Sequence, residues 1–141
     1  MKTNILFVDD EPDIITGYKR MLFSMRKEWD MFFALSGQEA LEILDKTSID
    51  VIITDMRMPQ MDGTELLNRI KLKYPQILRI VLSGHQDEAK ILRSTLTAHQ
   101  FLMKPCSAQV IKETIEKSVY FRSKLERSEE HTSELQSRQV I

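Results

Sequence analysis

The sequence predicts an α/β domain, a doubly wound parallel sheet of five strands covered by helices on both faces. Three observations predict it. Five short runs of β-branched, aromatic and other apolar residues recur at intervals of about 25 residues. A helix-start signal follows each run. Between the runs, apolar residues fall at helical rather than alternating spacing. Strict alternation of strand and helix with right-handed crossovers leaves a parallel sheet as the natural solution.

The first run, Ile5 to Val8, is followed by Pro12, suited to a first helical turn. Met31 to Leu35 precedes Ser36 with Glu39 three residues on, the spacing of a capping box, and Trp29 is expected to pack beside this strand. Val51 to Thr54 leads to Asp62 with Glu65, and Ile77 to Leu82 leads to Gly84 and Asp87. Gln100 to Met103 is followed by Pro105 and Ser107. In the last helical segment Val110, Ile111, Ile115, Ser118 and Val119 form one face, and Lys112, Glu113, Glu116 and Lys117 the other.

The pattern ends near Leu125. The run RSEEHTSELQS from Arg127 holds a single Leu and is identical to one translated frame of a common sequencing-library adapter. Residues 127–141 are therefore expected to be a non-native polar tail, disordered or a helix extension, and residues 1–126 the domain.

Composition narrows the function. The 141 residues are 42% hydrophobic and 29% charged, as in one globular domain. A formal charge of −1 supplies no basic surplus for nucleic acid or an anionic membrane. No apolar run approaches the roughly 20 residues of a membrane span, and no signal peptide is evident, so a cytoplasmic location is expected. Cys106 is the single cysteine, which excludes an internal disulfide or a cysteine metal cluster, and a small buried or half-buried thiol is expected.

In an open parallel sheet, ligands bind beyond the carboxyl ends of the strands. There the sequence places Asp9, Asp10 and Glu11 after the first strand and Asp55 after the third. Ser83 and Gly84 follow the fourth, and Lys104 and Pro105 the fifth. Carboxylates packed together repel, so the cluster makes sense around a shared hard cation, for which magnesium, with its oxygen preference and affinity for phosphate, is the natural choice. The four glycines make neither GxGxxG nor a P-loop, so a resident nucleotide is not expected. Without a paired serine or cysteine nucleophile, Asp55 is the candidate to form an acyl phosphate, with Lys104 and Ser83 contacting phosphoryl oxygens.

FVDDEPD, TDMRMPQMDG, VLSGH and FLMKP, in this order at four strand ends, resemble the receiver domain of two-component response regulators over residues 3 to about 122. The resemblance implies a flavodoxin-like (βα)5 sheet of order 2-1-3-4-5. It implies Asp55 as phosphoacceptor, taking the group from a sensor histidine kinase or a histidine phosphotransfer protein. Mg2+ would be bound by Asp10, Asp55 and the Arg57 backbone carbonyl, with Asp9 acting through water. A cis Lys104–Pro105 bond follows, as does a switch in which Ser83 moves inward and Phe101 turns. That switch would repack the face of the fourth helix, fifth strand and fifth helix, which is also a possible homodimer surface. Many relatives carry tyrosine where this chain has Phe101, so the rotamer switch is kept but has no hydroxyl to form a hydrogen bond.

Arg57 and His85 match positions that tune phosphoryl lifetime, with solvated loop side chains as the alternative. His99 is expected to be structural, and Met56, Met58 and Met61 to pack as core or lid. LRSTLTAHQFLMKPCSAQVIKETI is similar to receivers joined to HDOD-type domains and more weakly to those joined to cyclic-dinucleotide phosphodiesterases, so an output domain is expected after residue 126, a single-domain regulator being the alternative. Two rival readings remain open. An aspartyl-phosphate phosphohydrolase of the haloacid dehalogenase type would carry a second aspartate where this chain has Arg57, and a phosphorylation-independent scaffold would usually have lost an acid or the lysine.

Overall fold

The structure, a computed structural model, describes the backbone of residues 2–84 and 98–140 and the side chains of these up to residue 125. Five parallel strands form one sheet: β1 (Thr3–Val8), β2 (Trp29–Ala34), β3 (Val51–Asp55), β4 (Leu78–Ser83) and β5 (Gln100–Met103). Their order is β2-β1-β3-β4-β5, the 2-1-3-4-5 arrangement expected, with the order reversing between β1 and β3. Helices α1 (Pro12–Met21), α2 (Gly37–Lys46) and α3 (Gly63–Lys73) follow the first three strands. The expected fourth helix and His85 lie outside the described residues.

Strand β1 is apolar because it is buried on both faces. Leu6 and Val8 point into a cluster with Ala34, Ala40, Leu44, Ile52 and Leu66, while Ile5 and Phe7 point to the opposite side. There Phe7 packs on Tyr18 of α1 at 5.1 Å between ring centroids and on Phe33 of β2 at 5.4 Å.

The start signals act as caps. Ser36 Oγ accepts the Glu39 N–H at 3.1 Å, and the Glu39 carboxylate accepts the Leu35 N–H at 3.2 Å. This capture ends β2 at Ala34, one residue before the expected boundary. At its other end β2 begins earlier than expected, because Trp29, which is buried, already pairs with Thr3. Asp62 Oδ1 accepts the Glu65 N–H at 2.9 Å and opens α3. Strand β4 starts at Leu78 rather than Ile77, whose N–H closes a turn onto the Tyr74 carbonyl.

The chain divides into two units, Met1–Ala108, which holds the sheet, and Gln109–Ile141. The second holds all but the first residue of the C-terminal helix, Ala108–Val140, whose backbone runs on through positions 127–140. Within that helix Tyr120, Phe121 and Leu125 are exposed. Among the described residues no helix is long and apolar enough to cross a membrane.

Candidate functional site

Parallel strands deliver their last residues to one edge, and four of them end in polar groups there. Asp9 follows β1, Asp55 closes β3, Ser83 closes β4 and Lys104 follows β5. Carboxylate oxygens of Asp9, Asp10 and Asp55 lie within 4.8 Å of one another. Asp9 is fully buried, and Asp10 and Asp55 are half-buried.

Asp9 is fixed twice over. Its N–H continues the ladder to the Ala34 carbonyl, and its Oδ1 accepts the Glu11 N–H at 3.0 Å, turning the chain toward α1. Its other oxygen, Oδ2, is 3.3 Å from the Lys104 ammonium, which also reaches Asp55 Oδ1 at 2.9 Å. The Lys104 backbone N–H donates to the Ser83 carbonyl at 2.9 Å, tying the ends of β4 and β5 together. Ser83 is buried, and the Lys104–Pro105 peptide is cis.

The electrostatics follow from this crowding. Burial pushes the Asp55 carboxyl above the ordinary carboxylate range, and the charge of Asp9 adds to it; the hydrogen bond and charge of Lys104 pull the other way without prevailing. Burial pulls the Lys104 ammonium down, but its bond to Asp55 and the charges of Asp55 and Asp9 reverse that, leaving its pKa raised. One ammonium cannot neutralise three carboxylates. The donor set therefore fits a hard divalent cation held by oxygen ligands, on the chemistry of its side chains.

The other expected residues lie on the loop after β3, in the core, or at the two ends of β5. Arg57 is exposed on the loop after Asp55, next to an open cavity of about 420 Å³ bounded by Met56, Met58, Pro59 and Asp62. Met58 and Met61 are buried in the core cluster, with Met56 packed against it. Phe101 is half-buried on β5, also against that cluster. His99 is structural: its ring Nδ1 accepts the Arg79 backbone N–H at 2.9 Å, and its backbone N–H donates to the Arg79 carbonyl at 2.7 Å. Cys106 is half-buried, its thiol donating to the Met103 carbonyl at 3.1 Å, and burial raises its pKa.

Sequence reasoning missed Tyr18. Its ring is buried on Phe7, and burial, together with the charges of Asp9 and Asp55, raises the phenol pKa and keeps it protonated. It also missed Gly63, where an added Cβ would lie 2.5 Å from the Asp55 carbonyl oxygen; only glycine lets α3 begin so close to the end of β3. The Asp-Gly that opens α3 was the available signal for the second.

Comparison with known proteins agrees with this arrangement. The model of the response regulator receiver domain family matches residues 5–116. Response regulator GtcR of Aneurinibacillus migulanus is 34% identical over 105 residues, 74% of this chain and 43% of that protein. The hydrogenase transcriptional regulatory protein HoxA of Cupriavidus necator is 30% identical over 120 residues, 84% of this chain and 24% of its own. Thus the chain spans less than half the length of these relatives. Among solved structures, the receiver domain of an HD domain-containing protein from Pseudomonas fluorescens Pf-5 superposes with a TM-score of 0.80 at 27% identity, over 88% of this chain and 99% of that one. A receiver domain protein from Clostridium thermocellum gives 0.77 at 34% identity, over 87% and 98%. The matched span contains the whole acidic cluster and all five strands except the first two residues of β1, so the chain belongs to the response regulator receiver domain family.

Proposed function

We propose that residues 1–126 form a receiver that accepts a phosphoryl group on Asp55 from the phosphohistidine of a sensor histidine kinase or histidine phosphotransfer protein. The observation that carries this reading is the Lys104 ammonium, bonded at once to Asp55 and Asp9 within a cluster of three carboxylates. An Asp55 oxygen attacks phosphorus, the phosphorus–nitrogen bond to the donor histidine breaks, and the imidazole leaves with the bonding pair. Lys104 moves from the carboxylate to a phosphoryl oxygen as charge develops there, and the Ser83 hydroxyl donates to another. Asp10, Asp55 and the Arg57 carbonyl, with Asp9 through water, would hold Mg2+, which when bound would supply charge neutralisation at the carboxylates and the transferred group. Hydrolysis of the acyl phosphate resets the domain, so it modifies itself rather than turning over a substrate, with Arg57 and His85 tuning the lifetime.

The signal leaves through Ser83 and Phe101. Phe101 is half-buried and packs against the core cluster, where a change of its rotamer would reach the core. The receiver end of a regulator with a C-terminal output domain fits the short span of the relatives covered, and the likeness to a receiver from an HD domain-containing protein supports an output domain of the HDOD type.

Incubating the full chain with acetyl phosphate and Mg2+ tests the reading. We expect one phosphoryl group per chain, mapped to Asp55 by mass spectrometry, with labelling at least about a thousand-fold slower in Asp55→Asn. Rapid multiple turnover would favour a phosphohydrolase, and no label a scaffold.

A further inference from the structure

The loop between Asp55 and α3 contains a strained turn. Gln60 has φ 67°, unusual for a residue with a side chain, and the Met61 N–H donates to the Pro59 carbonyl at 2.8 Å. The bond spans two residues around a positive φ, the rarer form of γ-turn. Strain of this kind persists only where the surroundings over-determine it. Here the next side chain, Met61, is buried in the core cluster, and the place it fills exists because residue 37 is glycine. A Cβ on Gly37 would lie 2.7 Å from Met61 Sδ, 3.0 Å from Cγ and 3.1 Å from Cβ. Because the near atoms include Cβ and Cγ, rotating the end of Met61 does not relieve the clash; the loop backbone has to shift. At its other end the loop is tied by the Gly63 N–H to the Met56 carbonyl at 2.8 Å.

We propose that Met61, seated over Gly37 at the start of α2, is a latch that holds this strained loop and so positions the Met56–Arg57 backbone beside Asp55. Gly37 is then a positioning residue for a site it does not touch. For its effect on Mg2+ the proposal rests on the receiver reading above.

Its test uses the full chain as Gly37→Ala, Met61→Ala and the double variant, with thermal unfolding, the amide NMR shifts of Met56 and Arg57, and Mg2+ calorimetry. The φ of Gly37 is not positive, and alanine is the better helix former, so helix propensity alone would raise Tm by roughly 3 °C. We expect the reverse: Gly37→Ala lowers Tm, moves both amides and weakens Mg2+ binding about ten-fold, as removing a group that supports a metal's ligands does. Met61→Ala also moves the amides and weakens Mg2+. In that background the added Gly37→Ala raises Tm and moves neither amide further, because its clash partner is gone. A Gly37→Ala that raises Tm beside intact Met61, or lowers it with both amides unmoved, overturns the latch. Absence of Mg2+ binding by the unmutated chain overturns the receiver reading instead, while Tm and the amides still decide the latch.

Discussion

The two ends of the sheet treat charge in opposite ways. At the amino-terminal ends of the strands, polar groups are matched locally. Asp50 accepts the Asn4 N–H at 2.8 Å, and the Asn4 amide donates to the Ser48 carbonyl at 2.6 Å. Asp45 takes both the Lys73 ammonium at 2.9 Å and the Tyr74 hydroxyl, which hold its carboxyl below the ordinary range. The buried Arg79 guanidinium donates to the carbonyls of Pro75 at 3.3 Å and Ile77 at 3.2 Å. At the carboxyl ends, two of three clustered carboxylates, Asp9 and Asp55, share the Lys104 ammonium, and burial lifts Asp55 instead of settling it. Matched polar groups serve the fold. Charge left in excess, at some cost in stability, is the signature of a candidate functional site.

Replacing one lysine at each end gives the largest contrast. Lys104→Met should slow acetyl phosphate labelling about a hundred-fold, the usual effect of removing one preorganised electrostatic contact to a developing charge. Lys73→Met, also removing an ammonium from a carboxylate, should leave the rate within about two-fold, since its site is far from the chemistry. Equal losses in the two variants would erase the distinction between the ends.

Arg79→Met applies the contrast to stability. It leaves two carbonyls without these donors in a buried setting, and urea unfolding should show a loss of about 2 kcal/mol. Mg2+ affinity should not change. A parallel fall in Mg2+ binding would mean that the amino end also supports the site.

Much of this was legible because strand–helix alternation alone brings strand ends to one edge, so acids and a lysine separated by up to 95 residues group together from the sequence pattern. The caps at Ser36 and Asp62 were legible for a local reason, a side chain and an N–H three residues apart. How deeply each acid of Asp9-Asp10-Glu11 turns inward was not: the chain bends out of the strand there, alternation no longer says which carboxylate points in, and it is Asp9 that is fully buried against Lys104. The Gly37–Met61 contact depends on how α2 meets a loop 24 positions later, and no local pattern encodes it. Gln60 adopts its positive φ without being Gly, Asn or Asp, so the turn was hidden as well. Arg79 is a charged residue inside an apolar strand, and the carbonyls it bonds come from the turn just before β4, which no local pattern announces.

The smallest effect follows from Asp55 itself. Its folded pKa lies above the unfolded value of about 3.9, so the folded state binds the proton more tightly than the unfolded chain does. Stability from this group is therefore greatest below that value and falls as pH rises through the window up to the raised pKa; above it, the full penalty of a half-buried carboxylate beside Asp9 is present. Asp55→Asn removes the charge while keeping the shape, and Lys104 retains Asp9. At pH 7.5 without Mg2+ the variant should be more stable by roughly 1 kcal/mol, the scale of gain seen when a functional strain is relieved. The gain should shrink toward pH 4, where the carboxyl carries its own proton. Urea titrations at the two pH values read the difference directly. A variant less stable at pH 7.5 would show that the pair with Lys104 outweighs burial, placing Asp55 with the matched charges of the opposite end.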